Sequence, residues 1–143
     1  MEIKKWKEET LFSTDGEPYA LKASAKWIGK DLLVAIWGGE RPHIGSVALA
    51  QPRPSLKNPE NRSATASVLC VLGHKEDDLV KKASEFLAAA LDVRVVVTAG
   101  VHWDDLDEEG IQTVIQKSGA LVKRISEVMK KPSSRRKKPK EKI

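Results

Sequence analysis

The sequence has a single cysteine and lacks any long apolar run, and each scarcity excludes a class of protein. Cys70 is alone among 143 residues, so neither an intrachain disulfide nor a paired-cysteine zinc motif can form. The longest apolar run, residues 32–37, is far shorter than the roughly 20 residues of a membrane-spanning helix. Residues 1–6 lack the apolar stretch of a signal peptide, so we expect a cytoplasmic protein. Because Cys70 lies in the apolar run 68–72, we expect its thiol to be buried.

Positive charge is plentiful, but most of it is concentrated in one short segment. The chain has a formal net charge of +5. Residues 130–143 contain eight Lys or Arg and one Glu, a surplus of seven positive charges, so the other 129 residues have a net charge of −2. We expect residues 132–143 to be a disordered basic tail after a single domain over residues 1–131. The slightly acidic body argues against a nucleic-acid-binding domain.

Apolar patterns in the first half of the chain predict a sheet. Residues 19–27 alternate between apolar and polar side chains, which is typical of a strand with one face in water. A turn at 29–31 joins them to a continuous apolar strand at 32–37. Further strands are expected over residues 6–12, 46–50 and 64–72. The segment 51–63 contains three prolines and is predicted to be a long exposed connection. Consecutive strands with short links predict an antiparallel meander.

The second half of the chain has the periodicity of helices. One helix is expected over residues 79–91, preceded by acidic residues at 76–78, where the positive end of the helix dipole favours them. After a β-branched strand at 93–99, a second helix is expected to start at the N-cap Asp107 and to end before Pro132. The two apolar stripes comprise Leu79, Val80, Ala83, Phe86, Leu87, Ala90 and Leu91, then Ile111, Val114, Ile115, Ser118, Val122, Ile125 and Met129. The sequence predicts an α+β fold, a meander sheet followed by helix, strand and helix, with both helices on one face of the sheet.

The three histidines lie where predicted strands end, and each has a glycine within three residues or close before it. His43 follows Gly38-Gly39 and precedes Gly45, His74 follows Gly73, and His102 follows Gly100. Glycine permits a positive φ or the close approach of a ligand, so these loops are natural walls of a binding site. Each histidine has the alternative of a plain surface or cap residue. A three-histidine metal site is a further alternative, although the short-spaced ligand pair of H-x-x-x-H is absent.

The segment Gly73-His74-Lys75 is the best candidate for binding an anion. It precedes a predicted helix, whose unpaired N–H groups and dipole favour a phosphate, and Lys75 adds charge. The acidic residues at 76–78 oppose this interpretation because they cap the same dipole. Neither a Walker A sequence, nor G-x-G-x-x-G, nor G-x-S-x-G is present. The acidic residues at 104–109 are more typical of a helix cap than of an acid–base pair, so binding is favoured over catalysis.

Several of these segments together resemble a known family. They are residues 29–34, Gly38-Gly39 with Pro42-His43-Ile44-Gly45, Gly73-His74-Lys75, and Ala99-Gly100-Val101-His102. Over about residues 6–130 the chain resembles the LpdD-type prenylated-flavin chaperones, which accompany UbiD-type decarboxylases. The resemblance implies a non-enzymatic protein that binds prenylated FMN and supports its loading or maturation in a UbiD-type decarboxylase.

Two other functions stay open beside this one. The family is similar in architecture to proteasome-assembly chaperones, so a module that binds only proteins is the first alternative. A histidine-based metal-dependent enzyme is the second. We also expect a homodimer, because the predicted edge strand and the half-polar strand at 19–27 leave a surface on which a second copy could pack.

In the flavin interpretation, the resemblance implies a role for each loop. Lys75 and the N–H groups after Gly73 would hold the phosphate, and the three histidines would contact the ring system. Trp37 and Trp103 would cover the isoalloxazine by stacking. The implied cofactor-binding residues are Gly38, Gly39, Arg41, His43, Gly73, His74, Lys75, Gly100, His102 and Trp103. No residue is assigned to catalysis or to a metal.

Overall fold

The computed structural model describes residues 9–71 and 76–130, which form a mixed sheet with two helices against it. The elements are β1 (Glu9–Ser13), β2 (Leu21–Ile28), β3 (Asp31–Gly39), β4 (Ser46–Pro54), β5 (Arg62–Cys70), α1 (Asp77–Leu91), β6 (Val95–His102) and α2 (Glu108–Met129). The predicted α+β fold is confirmed. The predicted tail at 132–143 and the first residues of the predicted strand 6–12 lie outside the described residues. Neither α1 nor α2 is long and apolar enough to cross a membrane.

The six strands form one sheet in the order β1-β2-β3-β6-β4-β5. β1, β2 and β3 form an antiparallel meander, and Ile28 pairs with Asp31 across the predicted turn. The prediction that the meander continues from β3 directly into β4 is wrong, because β6 lies between them, parallel to β3 and antiparallel to β4. This central position suits β6, because both of its edges are paired and its residues Val95, Val97 and Ala99 are buried against the helices.

Nearly half of the segment predicted as a long connection, residues 51–63, is strand. β4 continues to Pro54 and β5 begins at Arg62, so only residues 55–61 connect them. β4 pairs with β6 only as far as Ala50, and beyond that point its one partner is β5. Proline lacks an N–H group and is tolerated where a strand has a free side, which explains why Pro52 and Pro54 fit here.

The core lies between one face of the sheet and the two helices. Alternate residues of the central strands are almost fully buried there, namely Leu21, Ala23, Ala25, Leu32, Val34, Ile36, Val95, Val97 and Ala99. α1 packs on β4, β5 and β6, and α2 packs on β1 and β2. Both helices therefore cover the same face, as predicted, and no element within residues 9–71 and 76–130 covers the opposite face of the sheet, which we call the open face.

Both helices begin at the same end of the sheet, which we call the upper end. Ser46, the first residue of β4, pairs with Ala99 of β6 and with Cys70, the last residue of β5. β5 and β6 thus end side by side, and α1 and α2 follow them and run in the same direction. Asp107 is the N-cap of α2, as predicted, and its Oδ1 accepts a hydrogen bond from the Gly110 N–H at 2.7 Å.

The prediction of a buried Cys70 is wrong. Cys70 is exposed because it ends β5, which is an edge strand of the sheet. Its Sγ lies 2.7 Å from the Oγ of Ser46, its register partner on β4. The apolar run that surrounds it is split between two faces by the strand alternation, so it does not mark a fully buried strand.

Candidate functional site

A groove of about 900 Å³ lies between α1 and α2, and we call it the helix groove. Its walls are mainly apolar and come from both helices and from the segment after β6. The apolar lining residues are Leu79, Ala83, Phe86, Val101, Trp103, Leu106, Ile111, Val114, Ile115 and Val122. Phe86, Ile111 and Ile115 are 46%, 44% and 55% exposed, so part of each predicted helical stripe faces the groove rather than the sheet.

The upper end of the helix groove contains a buried carboxylate, Glu76. Glu76 stands at the N-cap position of α1, but its side chain makes no capping hydrogen bond. Instead, its Oε1 accepts a hydrogen bond from the Val101 N–H at 3.3 Å and lies 3.1 Å from His43 Nε2. The other oxygen, Oε2, is buried next to Gly45 and has no hydrogen-bond partner among the described residues. Glu76 therefore stands at the start of α1, as predicted, but its carboxylate is engaged by Val101 and His43 rather than by the N–H groups of the first turn.

His43 is held between two acceptors. Its Nδ1 lies 2.9 Å from the carbonyl oxygen of Arg41, and its Nε2 forms the ion-pair contact with Glu76, without the alignment of a hydrogen bond. A carbonyl and a carboxylate are both hydrogen-bond acceptors, so each ring nitrogen of His43 faces an acceptor. This contact connects the loop after β3 to the first turn of α1.

His102 and Asp104 form a second polar pair at the same end. His102 Nε2 lies 2.9 Å from Asp104 Oδ1, and an Arg41 guanidinium nitrogen lies 3.8 Å from Asp104 Oδ2. The hydrogen bond with His102, a further one with Glu40 and the charge of Arg41 lower the pKa of Asp104. Because these side chains are exposed, the pair orients the loop but adds little stability.

Trp103 is fixed beside this pair by an aromatic contact. Its ring meets the Tyr19 ring edge to face, with centroids 5.3 Å apart and an interplanar angle of 86°. Trp103 lines the helix groove and also packs against the core. An aromatic surface is therefore held in position at the upper end, where a planar ligand could contact it.

The structure brings several of the predicted site residues together. His102 and Trp103 line the helix groove, His43 contacts the lining residue Glu76, and Arg41 lies near Asp104. Gly73, His74 and Lys75 lie outside the described residues, so their roles stay predictions.

The position of Trp37 in the structure differs from the prediction. Trp37 alternates with the buried Ile36 and Gly38 of β3, which places it on the open face of the sheet, away from the helix groove. The prediction that Trp37 stacks in the same hollow as Trp103 is therefore wrong. Residues 32–37 are all apolar, so the sequence showed no alternation that would assign Trp37 to one face of the sheet.

The three described glycines of the predicted site are packed against the protein itself. Gly39 has a φ of +87°, and a Cβ there would overlap the carbonyl of His102. A Cβ on Gly100 would overlap the carbonyl of His43, and one on Gly38 would press on the Ala20 carbonyl. Close approach of neighbouring backbone explains these glycines without a ligand, and a ligand contact at any of them stays a prediction.

The sequence did not reveal the helix groove, Glu76, or the two lysines that line the groove, Lys82 and Lys123. A signal was present in the two apolar stripes, which are wider than contact with a sheet alone requires. Within residues 9–71 and 76–130, no group of three or more His, Cys, Asp or Glu side chains is arranged to hold a metal ion.

The fold and the sequence both have counterparts among known proteins. The fold is similar to that of a chain in the crystal structure of a novel chaperone complex for yeast 20S proteasome assembly, with a TM-score of 0.50 and 13% sequence identity over 85% of this chain and 95% of that one. At this identity the likeness shows the fold alone. No curated protein matches the chain. The prenylated flavin chaperone LpdD-like domain matches residues 15–130, most of the chain, which confirms the resemblance of the histidine–glycine segments. The chain therefore belongs to the LpdD-like family of prenylated flavin chaperones.

Proposed function

We propose that this protein binds prenylated FMN in the helix groove and supports its loading or maturation in a UbiD-type decarboxylase. The family is one of chaperones rather than of catalysts, which supports a role in carrying the flavin over one in using it for catalysis. The observation that carries the proposal is the helix groove itself. Its volume of about 900 Å³ lies within the usual range of small-molecule sites, and its walls are apolar with a few polar groups at one end.

The residues of the groove fit a phosphorylated, largely aromatic ligand. Phe86, Ile111 and Ile115 expose apolar surface that a flat ring system would cover. Glu76 offers a buried oxygen with no hydrogen-bond partner among the described residues, and a carboxylate oxygen accepts hydrogen bonds from N–H groups such as those on the edge of a ring. His43 and His102 hold the polar upper end in place through Glu76 and Asp104.

The binding step can be tested with two substitutions at one position. Gly119 lines the groove, and a Cβ there meets no atom within 4 Å. Gly119→Phe should therefore fill the groove without disturbing the fold, whereas Gly119→Ala should leave room for the ligand. The full chain would be titrated with reduced and with oxidised prenylated FMN, and flavin absorbance and fluorescence would be recorded.

We expect the wild type and Gly119→Ala to bind prenylated FMN and Gly119→Phe to lose binding by at least about ten-fold. Adding the loaded wild type to a purified apo-decarboxylase should then restore decarboxylation to a greater extent than free flavin does. Equal binding by all three variants would rule out the helix groove, and absence of binding by the wild type would rule out the flavin function.

We also propose that two copies pair through the open face of the sheet. Leu11, Leu33, Leu49 and Leu69 are exposed on that face. In the register row from Leu11 to Leu69, the residues of β2, β3 and β6 are small, Ser24, Ala35 and Thr98. Trp37 adds a large apolar side chain to the same face, on which Lys22 and Lys26 also lie. Two such faces can pack sheet on sheet at about 10 Å. This face includes the half-polar side of β2 from which the sequence predicts a homodimer.

A further inference from the structure

We propose that the phosphate of the bound flavin lies at Lys123, at the end of the helix groove away from Glu76. The inference rests on the proposed flavin binding and gives the ligand a direction within the groove. It differs from the orientation implied by the family resemblance, which places the phosphate at Gly73-His74-Lys75.

The two helices that form the groove run in the same direction. Because α1 and α2 both start at the upper end, the groove has one end lined by first turns and another lined by later turns. Glu76 and Asp78, the acidic lining residues, belong to the start of α1. Lys123 lies 15 residues after the first residue of α2, which is about 22 Å along the helix at 1.5 Å per residue.

Acidic side chains already occupy the starts of both helices. The positive ends of two helix dipoles would ordinarily attract a phosphate. Here the first turns contain Asp77 and Asp78 on α1 and Glu108 and Glu109 on α2, and the Asp107 carboxylate takes the Gly110 N–H. A phosphate placed there would be repelled by these carboxylates and by that of Glu76, which is buried and therefore less screened by water. The cations at this end already face acidic groups, Lys82 at Asp78 and Arg41 at Asp104.

The side chain of Lys123 is available to bind a phosphate. It is exposed, and no ion pair of its side chain is found within residues 9–71 and 76–130. Lys82, the other lysine of the groove lining, is 2.9 Å from Asp78, so its charge is partly compensated. Lys123 is therefore the lining cation that can best supply a charge-assisted hydrogen bond to a phosphate.

The test compares ligands with and without the phosphate. The full-length wild type, Lys123→Gln and a control, Lys57→Gln, would be titrated with prenylated FMN and with its dephosphorylated form, prenylated riboflavin. Lys57 is an exposed lysine in the 55–61 loop, which lies at the same end of the sheet as Lys123 but outside the helix groove. The control thus removes the same charge without touching the groove.

We expect the wild type to prefer the phosphorylated ligand by about ten-fold, the effect of one charge-assisted hydrogen bond. Lys123→Gln should lose this preference while it binds prenylated riboflavin as the wild type does, and Lys57→Gln should keep the preference. Lys82→Gln should reduce it by a smaller factor.

Two results would overturn the inference while the proposed function stands. One is a Lys123→Gln variant that binds flavin and keeps the full preference for the phosphate. The other is an equal loss for both ligands, which would mean that Lys123 contacts another part of the flavin or supports the groove. If the wild type binds neither ligand, the proposed function itself fails and the inference with it.

Discussion

Gly100 lies where β6 passes the loop that contains His43. A Cβ at this position would overlap the His43 carbonyl oxygen, and the loop that contains His43 is held against β6 by the hydrogen bond that the Gly45 N–H donates to the Ala99 carbonyl oxygen. We expect Gly100→Ala to lower the free energy of unfolding by about 3 kcal/mol or more, the upper range of overpacking. Urea denaturation followed by far-UV circular dichroism measures this difference.

Gly119→Ala is the matched control for that substitution. Nothing lies within 4 Å of a Cβ at Gly119, and alanine is favoured over glycine inside a helix by about 1 kcal/mol. The control should therefore be slightly more stable than the wild type. If both variants unfolded at the same denaturant concentration, the close packing at Gly100 would be refuted.

The lowered pKa of Asp104 predicts a small pH dependence of stability. Because folding lowers this pKa from its ordinary value of 3.8, the contribution is complete above that value and disappears as the pH falls through the lower, folded value. Asp104→Asn should be slightly less stable than the wild type at neutral pH, and the difference should vanish in acid. This difference in stability can be measured by thermal unfolding at a series of pH values from neutral to strongly acidic, with Asp105→Asn as a control. A difference that grows in acid would contradict this sign.

At the scale of residues, the sequence identified side chains next to glycines but missed those whose role depends on partners from other elements. His43, His102 and Trp103 were predicted because they stand in loops after strands, and the structure gathers them at the upper end. Glu76 has the same local pattern as any acidic residue before a helix. Its contact with His43 depends on how the loop after β3 and the start of α1 meet in the fold, which the local sequence does not encode.

At the scale of elements, Lys117 links α2 to the loop between β1 and β2 by hydrogen bonds. Its Nζ donates hydrogen bonds to the carbonyl oxygens of Gly16 and Pro18, each at 2.8 Å, and lies 3.5 Å from that of Asp15. Lys117→Met should destabilise the protein by about 1 kcal/mol and speed amide hydrogen exchange in residues 14–21. Lys123→Met, on the same helix, should change neither quantity. Unchanged exchange in the Lys117 variant would show that the loop is held by other contacts.

The elements were predicted better than their order in the sheet. The 3.6-residue and two-residue periods report which face of an element is buried, and they placed α1, α2 and β2 within one or two residues. Strand order depends on contacts between distant parts of the chain. The clue to the central place of β6 was that Val95, Val96 and Val97 are apolar on both faces, which is typical of a strand with neighbours on both sides.

At the scale of the whole molecule, pairing through the open face of the sheet predicts that charged substitutions on this face dissociate the dimer. Leu49→Asp combined with Leu69→Asp should convert a homodimer into a monomer, because it places two carboxylates in an apolar interface. Both leucines are exposed in the single chain, at 43% and 78%, so the fold should persist. Size-exclusion chromatography with light scattering gives the mass. Leu56→Asp, in the exposed 55–61 loop, is the control, and a monomeric wild type would contradict the proposed pairing.

The sheet separates the helix groove from the open face by a single layer of strands. In a pair joined back to back through the open faces, the two grooves would point outward on opposite sides, each bordered by its own helices. Each copy would then take up and release its cargo independently of the other. Such a pair should bind two flavins with equal affinity and a Hill coefficient of about one, and two decarboxylase molecules could dock on it at once.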